Sequence, residues 1–186
     1  MAIPSQKKTF GLEDCRDLLR KLEWEIEGLR NTPPDDLDGL AFRAFNAFVT
    51  AWHMGDWVWK TMTEDQHEAL RNDWAAPAMK DDGSFRGELR KRSRTLALCR
   101  EIATASKHFD VTQRADETID AVTSATVSNV IDNDGNMIVT EDFRPVVVTE
   151  WVLKVLDRDQ RRPVLEVLDR ALEFWTQLIY PRKIGE

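Results

Sequence analysis

His53 and Asp56 stand three residues apart in Ala51-Trp52-His53-Met54-Gly55-Asp56-Trp57. On an α-helix that spacing puts an imidazole and a carboxylate on one side. Histidine titrates near neutral pH, so the two have the makings of an acid–base couple. Tryptophans on both sides argue for partial burial, and a buried carboxylate needs a cation or a hydrogen-bond donor. The same residues are equally suited to satisfying a neighbouring helix or a backbone group, in which case they fix packing and catalyse nothing.

A second polar set follows about fifty residues on, in Arg100-Glu101-Ile102-Ala103-Thr104-Ala105-Ser106-Lys107-His108-Phe109. Arg100, Thr104 and His108 recur at fours, one stripe of a helix. Ala103, Ala105 and Ser106 are small enough to admit a second helix. If that helix is the tryptophan-rich one and the two run antiparallel, His53, Asp56, Lys107 and His108 meet. Together with Arg100 they form the candidate catalytic cluster. The competing reading is a helix C-terminus, with Lys107 and His108 facing the negative end of the dipole.

His53, Asp56 and His108 are also conceivable metal ligands, with Glu101 or His67 as a fourth. No HExxH, CxxC or Glu-x-x-His spacing supports this, so neither metal nor cofactor is expected. Asp132-x-Asp134-Gly135 begins like a calcium loop but lacks the glutamate at position twelve, and reads as a hairpin turn. No P-loop, GxGxxG or GxSxG occurs, which removes support for nucleotide-binding and serine-hydrolase readings. Arg86, Arg90, Arg94 and Arg100, with Lys91 and Arg92, concentrate positive charge on one helical stretch. That stripe can meet the phosphates of RNA, or pair with the chain's own surplus acids.

The elements that must position these groups follow from periodicity. Leu12, Cys15, Leu18, Leu19, Leu22, Ile26 and Leu29 recur at threes and fours, predicting a helix over 11–30 that Pro33-Pro34 ends. A second helix is predicted over 36–62, with three aspartates at its start and apolar residues nearly all round. That marks a central helix packed on several sides. Thr63 and Gln66 form a capping-box pattern for a short helix ending near Trp74. A long helix is predicted over 85–109, weakened at Gly87 and Ser93.

After Asp110 the residues turn β-branched. Strands are predicted over 118–131 and 146–156, with a turn at Asp132-Asn133-Asp134-Gly135-Asn136 and a return beginning at Met137. This β-meander, about 117–157, is too small to fold alone and is expected to lean on the helices. Pro163 suits the first turn of a final helix carrying Val164, Leu168, Leu172 and Trp175. The fold class is mainly α (α+β): a bundle of three long helices and a short one, a small antiparallel meander and a C-terminal helix. All of it forms one domain, 1–186.

The chain has 186 residues, 42% of them hydrophobic and 32% charged, with a formal net charge of −7. That is ample for one self-sufficient core and too apolar for intrinsic disorder. No stretch is long and apolar enough to span a membrane. Lys7 and Lys8 occupy the place of a signal peptide's apolar region, and Cys15 and Cys99 lie within helical runs. A cytoplasmic location with reduced thiols is the expectation.

The His-x-x-Asp-Trp block at His53–Trp57 and the Ser-Lys-His block at Ser106–His108 resemble those of short uncharacterised bacterial proteins. Those proteins place a β-hairpin and a final helix after the two blocks. The resemblance covers most of the chain and implies a common fold, without an activity. The chain also resembles, more loosely, the HEPN superfamily. These are helical bundles, often ribonucleases of toxin–antitoxin and phage-defence systems, with an arginine and a histidine four to six residues apart. Seven residues separate Arg100 from His108 here. That resemblance implies a metal-independent ribonuclease or RNA-binding dimer, with Arg100 on phosphate and His108 as general acid or base. The absence of any firm catalytic motif and the seven tryptophans favour a non-enzymatic interaction protein with a protein partner or a second copy.

Overall fold

The computed structural model describes residues 9–105 and 118–186. Six helices and three strands follow one another: α1 (Cys15–Arg30), α2 (Leu37–Thr61), α3 (Glu64–Asp73), α4 (Asp82–Arg92), α5 (Arg94–Ala105), β1 (Ile119–Asn129), β2 (Val147–Asp157), β3 (Gln160–Pro163) and α6 (Val164–Ile179). The architecture is mainly α with a three-stranded antiparallel sheet, ordered β1-β2-β3.

α2 is the central element. Its all-round apolar sequence is matched by neighbours on every side: α1, α4, α5, α6 and β2 all touch it. Ala44, Ala47, Ala51, Met54 and Val58 are buried along it, and the alanines let the surrounding helices come close. Gly55 marks the close approach of α4: a Cβ there would stand 3.3 Å from side-chain carbons of Arg86 and Leu89. α6 lays its apolar stripe of Val164, Val167, Leu168, Ala171, Trp175, Leu178 and Ile179 into the same core.

The helix ends follow local chemistry. Asp14 caps α1 by accepting from the amides of Arg16 and Asp17. The Thr63–Gln66 capping box forms: Gln66 N donates to Thr63 Oγ1, and Thr63 N donates to Gln66 Oε1 at 2.9 Å. Thr63→Ala is expected to cost about 1 kcal/mol, read as a melting temperature lowered by a few degrees. An unchanged midpoint would mean that Gln66, which also donates to Arg182 O at 3.0 Å, holds the turn alone.

The long helix predicted over 85–109 is two helices. Ser93 adopts an extended backbone, φ −132° and ψ 106°. Its amide closes α4 on Leu89 O at 2.9 Å, and its Oγ accepts from Leu96 N at the start of α5. One serine therefore serves as C-cap and N-cap, an exchange that favours a break over an unbroken helix. Arg86 and Arg90 consequently lie on α4 and Arg94 on α5, so the cationic stripe is divided. Pro163 likewise ends β3 and stands at the N-cap of α6, one residue before the helical turn expected for it.

β1 and β2 pair over eleven residues each, from Ile119↔Asp157 to Asn129↔Val147. Odd-numbered residues of β2 face the helices, with Val155 and Asp157 buried and Trp151 and Leu153 half-buried. Trp151 N donates to Pro34 O at 2.7 Å, fastening the sheet to the α1–α2 connection. The sheet leans on the helices as expected, and it does so through this base. Beyond it the hairpin projects as an arm. At its tip Val130, Ile138 and Val146 bond in a ring, each amide donating to the next carbonyl at 2.8–2.9 Å. Met137 and Val139 make only isolated bridges, to Ile131 and Pro145, rather than a full return strand. Asp132 closes the expected turn, accepting from the amides of Asp134 and Asn136, with Gly135 at φ +86°.

Candidate functional site

His53 and Asp56 lie half-buried on α2, one turn apart, among the half-buried Trp52, Trp57 and Trp59. The cation that Asp56 requires is Arg86 of α4. Its Nη1 stands 3.2 Å from Asp56 Oδ1, an ion pair without the alignment of a hydrogen bond. Arg86 also reaches Asp82, Nη2 to Oδ2 at 3.2 Å. The close approach at Gly55 delivers it, because α4 can settle against α2 there.

α5 packs on α2. Ile102, late in α5, shares a cavity with Phe45 and Phe48, early in α2. Lys107 and His108 lie outside the described residues, and the meeting proposed for them with His53 and Asp56 has no observation behind it. Arg100 is largely buried, in close contact with Glu101, and Thr104 Oγ1 donates to Arg100 O at 2.7 Å. The cationic stripe is engaged by the chain's own acids: Arg86 on Asp56 and Asp82, Arg94 on Asp157, Arg100 on Glu101.

Histidine 67 is buried. Its ring stacks on Trp59 with centroids 3.9 Å apart, and its Nε2 lies 3.0 Å from Trp59 O. Among the described residues, no group of three or more His, Cys, Asp or Glu side chains is placed to hold a metal ion. Both thiols are buried, and burial pushes Cys15 up to about 11 and Cys99 to about 12. Neither is a ready nucleophile at neutral pH.

Two features escaped the sequence reading. The first is Asp157, a buried carboxylate at the end of β2. Arg94 donates to its Oδ1 through Nε (3.0 Å) and Nη2 (2.7 Å), and Arg162 donates to its Oδ2 at 3.3 Å. The bonds from Arg94 hold this carboxyl below the usual range, against the opposing effect of burial. The local hint is Asp157 and Arg162 flanking a tight turn, but Arg94 is sixty-three residues away.

The second is the arm. Val127 is 62% exposed, Ile131 62%, Phe143 86% and Val147 50%. These apolar side chains form no part of the core. The arm is also acidic: from Ile119 to Glu150 it carries Asp120, Asp132, Asp134, Glu141, Asp142 and Glu150 against the single base Arg144. Alternating β-branched residues were the legible signal, since both faces of β1 read alike.

Among the described residues no helix is long and apolar enough to cross a membrane. No known protein family matches the chain, and neither a curated protein nor a solved structure is found to be similar to it.

Proposed function

We propose that this is a non-enzymatic accessory protein of the bacterial cytoplasm, in which a helical body carries a β arm that recognises another protein chain. The observation that carries the reading is the arm itself. A two-stranded hairpin is marginal in water without a covered face, yet its distal half exposes Val127, Ile131, Phe143 and Val147 to solvent. Such a surface gains most by being buried against a partner. The candidate polar groups have the opposite character. Asp56, Arg94, Arg100 and Asp157 are engaged in internal pairs, which suits the fixing of helices more than turnover.

The arm's charge also narrows the partner. Six acids against one base repel a phosphate backbone, so the recognised chain is protein. The helical body then serves as the mount, with Trp151 fastened to Pro34 at the arm's root.

Photo-crosslinking in the native host tests this. A benzoylphenylalanine at Ile138 or Phe143 is expected to give a discrete protein adduct, whereas one at Glu68, exposed on α3, is not. Equal, diffuse labelling from all three positions, or no adduct from the arm, would remove the reading.

A further inference from the structure

We infer that the arm's partner is a second copy of this chain, joined through the outer edge of β1 in an antiparallel, two-fold pairing centred on Ala125. This rests on the reading of the arm as the recognition element and names what it recognises.

The hydrogen-bond direction comes first. Arg158 N donates to Thr118 O, and Val130 N donates to Val146 O, at the two ends of the β1–β2 ladder. In an antiparallel ladder bonded pairs alternate with unbonded ones. Even-numbered residues of β1 therefore spend their amides and carbonyls on β2. Those of Ile119, Ala121, Thr123, Ala125, Val127 and Asn129 point away from it. Among the described residues β1 is an edge strand; in that outer row the Ala121 amide donates to the adjacent Asp120 Oδ1 at 2.8 Å, and no other described strand pairs with it.

The burial of the inner face says that a strand is missing there. Ala121 and Thr123 lie opposite Val155 and Leu153 on the face turned towards the helices. Val155 is buried and Leu153 half-buried, yet Ala121 and Thr123 are exposed. Edge strands are normally guarded by lysine, proline, a bulge or brevity. β1 runs for eleven residues, IDAVTSATVSN, with none of these.

The edge is complementary to itself. A two-fold axis perpendicular to the sheet keeps the helix-facing sides together, so residues of equal parity must oppose one another. Centring on Ala125 uses the outward-pointing odd residues and sets Thr123 opposite Val127, and Ala121 opposite Asn129. The strand's one charge, Asp120, falls opposite the uncharged Val130.

The same register places each acidic tip beside the base of the other copy. Ile131 comes level with Ile119 of the partner strand, bringing Asp132 level with Thr118, whose carbonyl accepts from the amide of the exposed Arg158 at the β2–β3 turn. Each bundle underlies only the base of its own arm, so it comes to lie beneath the distal half of the other. The apolar groups waiting there are Phe45, 39% exposed beside the cavity it shares with Thr123 and Leu153, and Phe42, 66% exposed three residues earlier. Opposite them stand Val127 and Val147.

Sedimentation of the purified chain over a range of concentrations, together with three variants, tests this. The wild type is expected at twice the 21.5 kDa chain mass. Thr123→Pro removes an amide that the monomer does not use, and is expected to weaken association at least tenfold, about 1.4 kcal/mol. Val127→Lys, which leaves the backbone intact, is expected to do the same. Circular dichroism establishes that both keep their helices. Ala125→Cys places two thiols across the axis at a separation suited to a disulfide, and is expected to give a covalent dimer under mild oxidation. A wild type that stays monomeric at tens of micromolar, or a dimer indifferent to both edge variants and to Ala125→Cys, overturns the proposal. If the arm then still crosslinks a different protein, its role in recognition stands and only the identity of the partner falls. If it crosslinks nothing, both fail.

Discussion

Replacing Trp175 by alanine is expected to remove about 4 kcal/mol of folding stability. The indole is fully buried on α6, and its Nε1 donates to Ala51 O of α2 at 2.9 Å. Phe174 meets it edge-on, with centroids 5.4 Å apart. Ala47 and Ala51, one turn apart and both fully buried, give α2 a small-residue face on which a large side chain can lie. Truncation leaves a cavity in the middle of the bundle that rigid helices on several sides cannot close. Trp175→Phe keeps most of the apolar area and loses the hydrogen bond, so about 1–2 kcal/mol is expected for it. Urea unfolding reads both as midpoint shifts. Since a domain of this size has roughly 5–15 kcal/mol in total, the alanine variant should unfold at far lower urea. A loss under about 1 kcal/mol for Trp175→Ala would mean that α6 is not an integral wall of the core.

The central place of α2 was legible because its apolar residues leave no polar side, and only a helix surrounded by others can satisfy that. The Thr63–Gln66 box and the Asp132–Asn136 turn were legible because they are local: every bond closes within four residues. At Ser93 only a weakening of the helix was legible, not the break itself. A serine within Arg-Lys-Arg-Ser-Arg resembles any solvent-facing stretch, and its two capping bonds exist only once the backbone has turned. The need of Asp56 for a cation could be read from its tryptophan neighbours. That the cation is Arg86 depends on α3 and α4 folding back to meet α2 at Gly55, which no spacing encodes. The arm shows the same division. Its β-branched residues announce strands, but its freedom from the bundle is set by where the helices end beneath it.

Asp157 is the other place where one side chain holds distant elements together. It joins the first residue of α5, through Arg94, to the end of β2 and, through Arg162, to β3. Asp157→Asn keeps the shape and removes the charge, leaving two guanidiniums near each other without their shared counter-ion. The expected cost at pH 7 is about 2 kcal/mol. That is below the 3–5 kcal/mol of a fully buried broken pair, because Arg94 and Arg162 are 39% and 29% exposed and can turn to water. The pH dependence has a definite sign. The folded carboxyl is held below its unfolded value of roughly 4, chiefly by the hydrogen bonds from Arg94. Its stabilisation is therefore complete above about pH 5 and is lost as pH falls through the lowered folded value. The arginines remain charged throughout and add no titration of their own. Urea unfolding of wild type and Asp157→Asn in parallel isolates this one group from the other acids. Their stability difference should be flat from pH 8 to 5 and shrink below about pH 4. A difference that persists undiminished at pH 2, or one that is absent at pH 7, would show that the carboxylate's charge does not join β2 to α5.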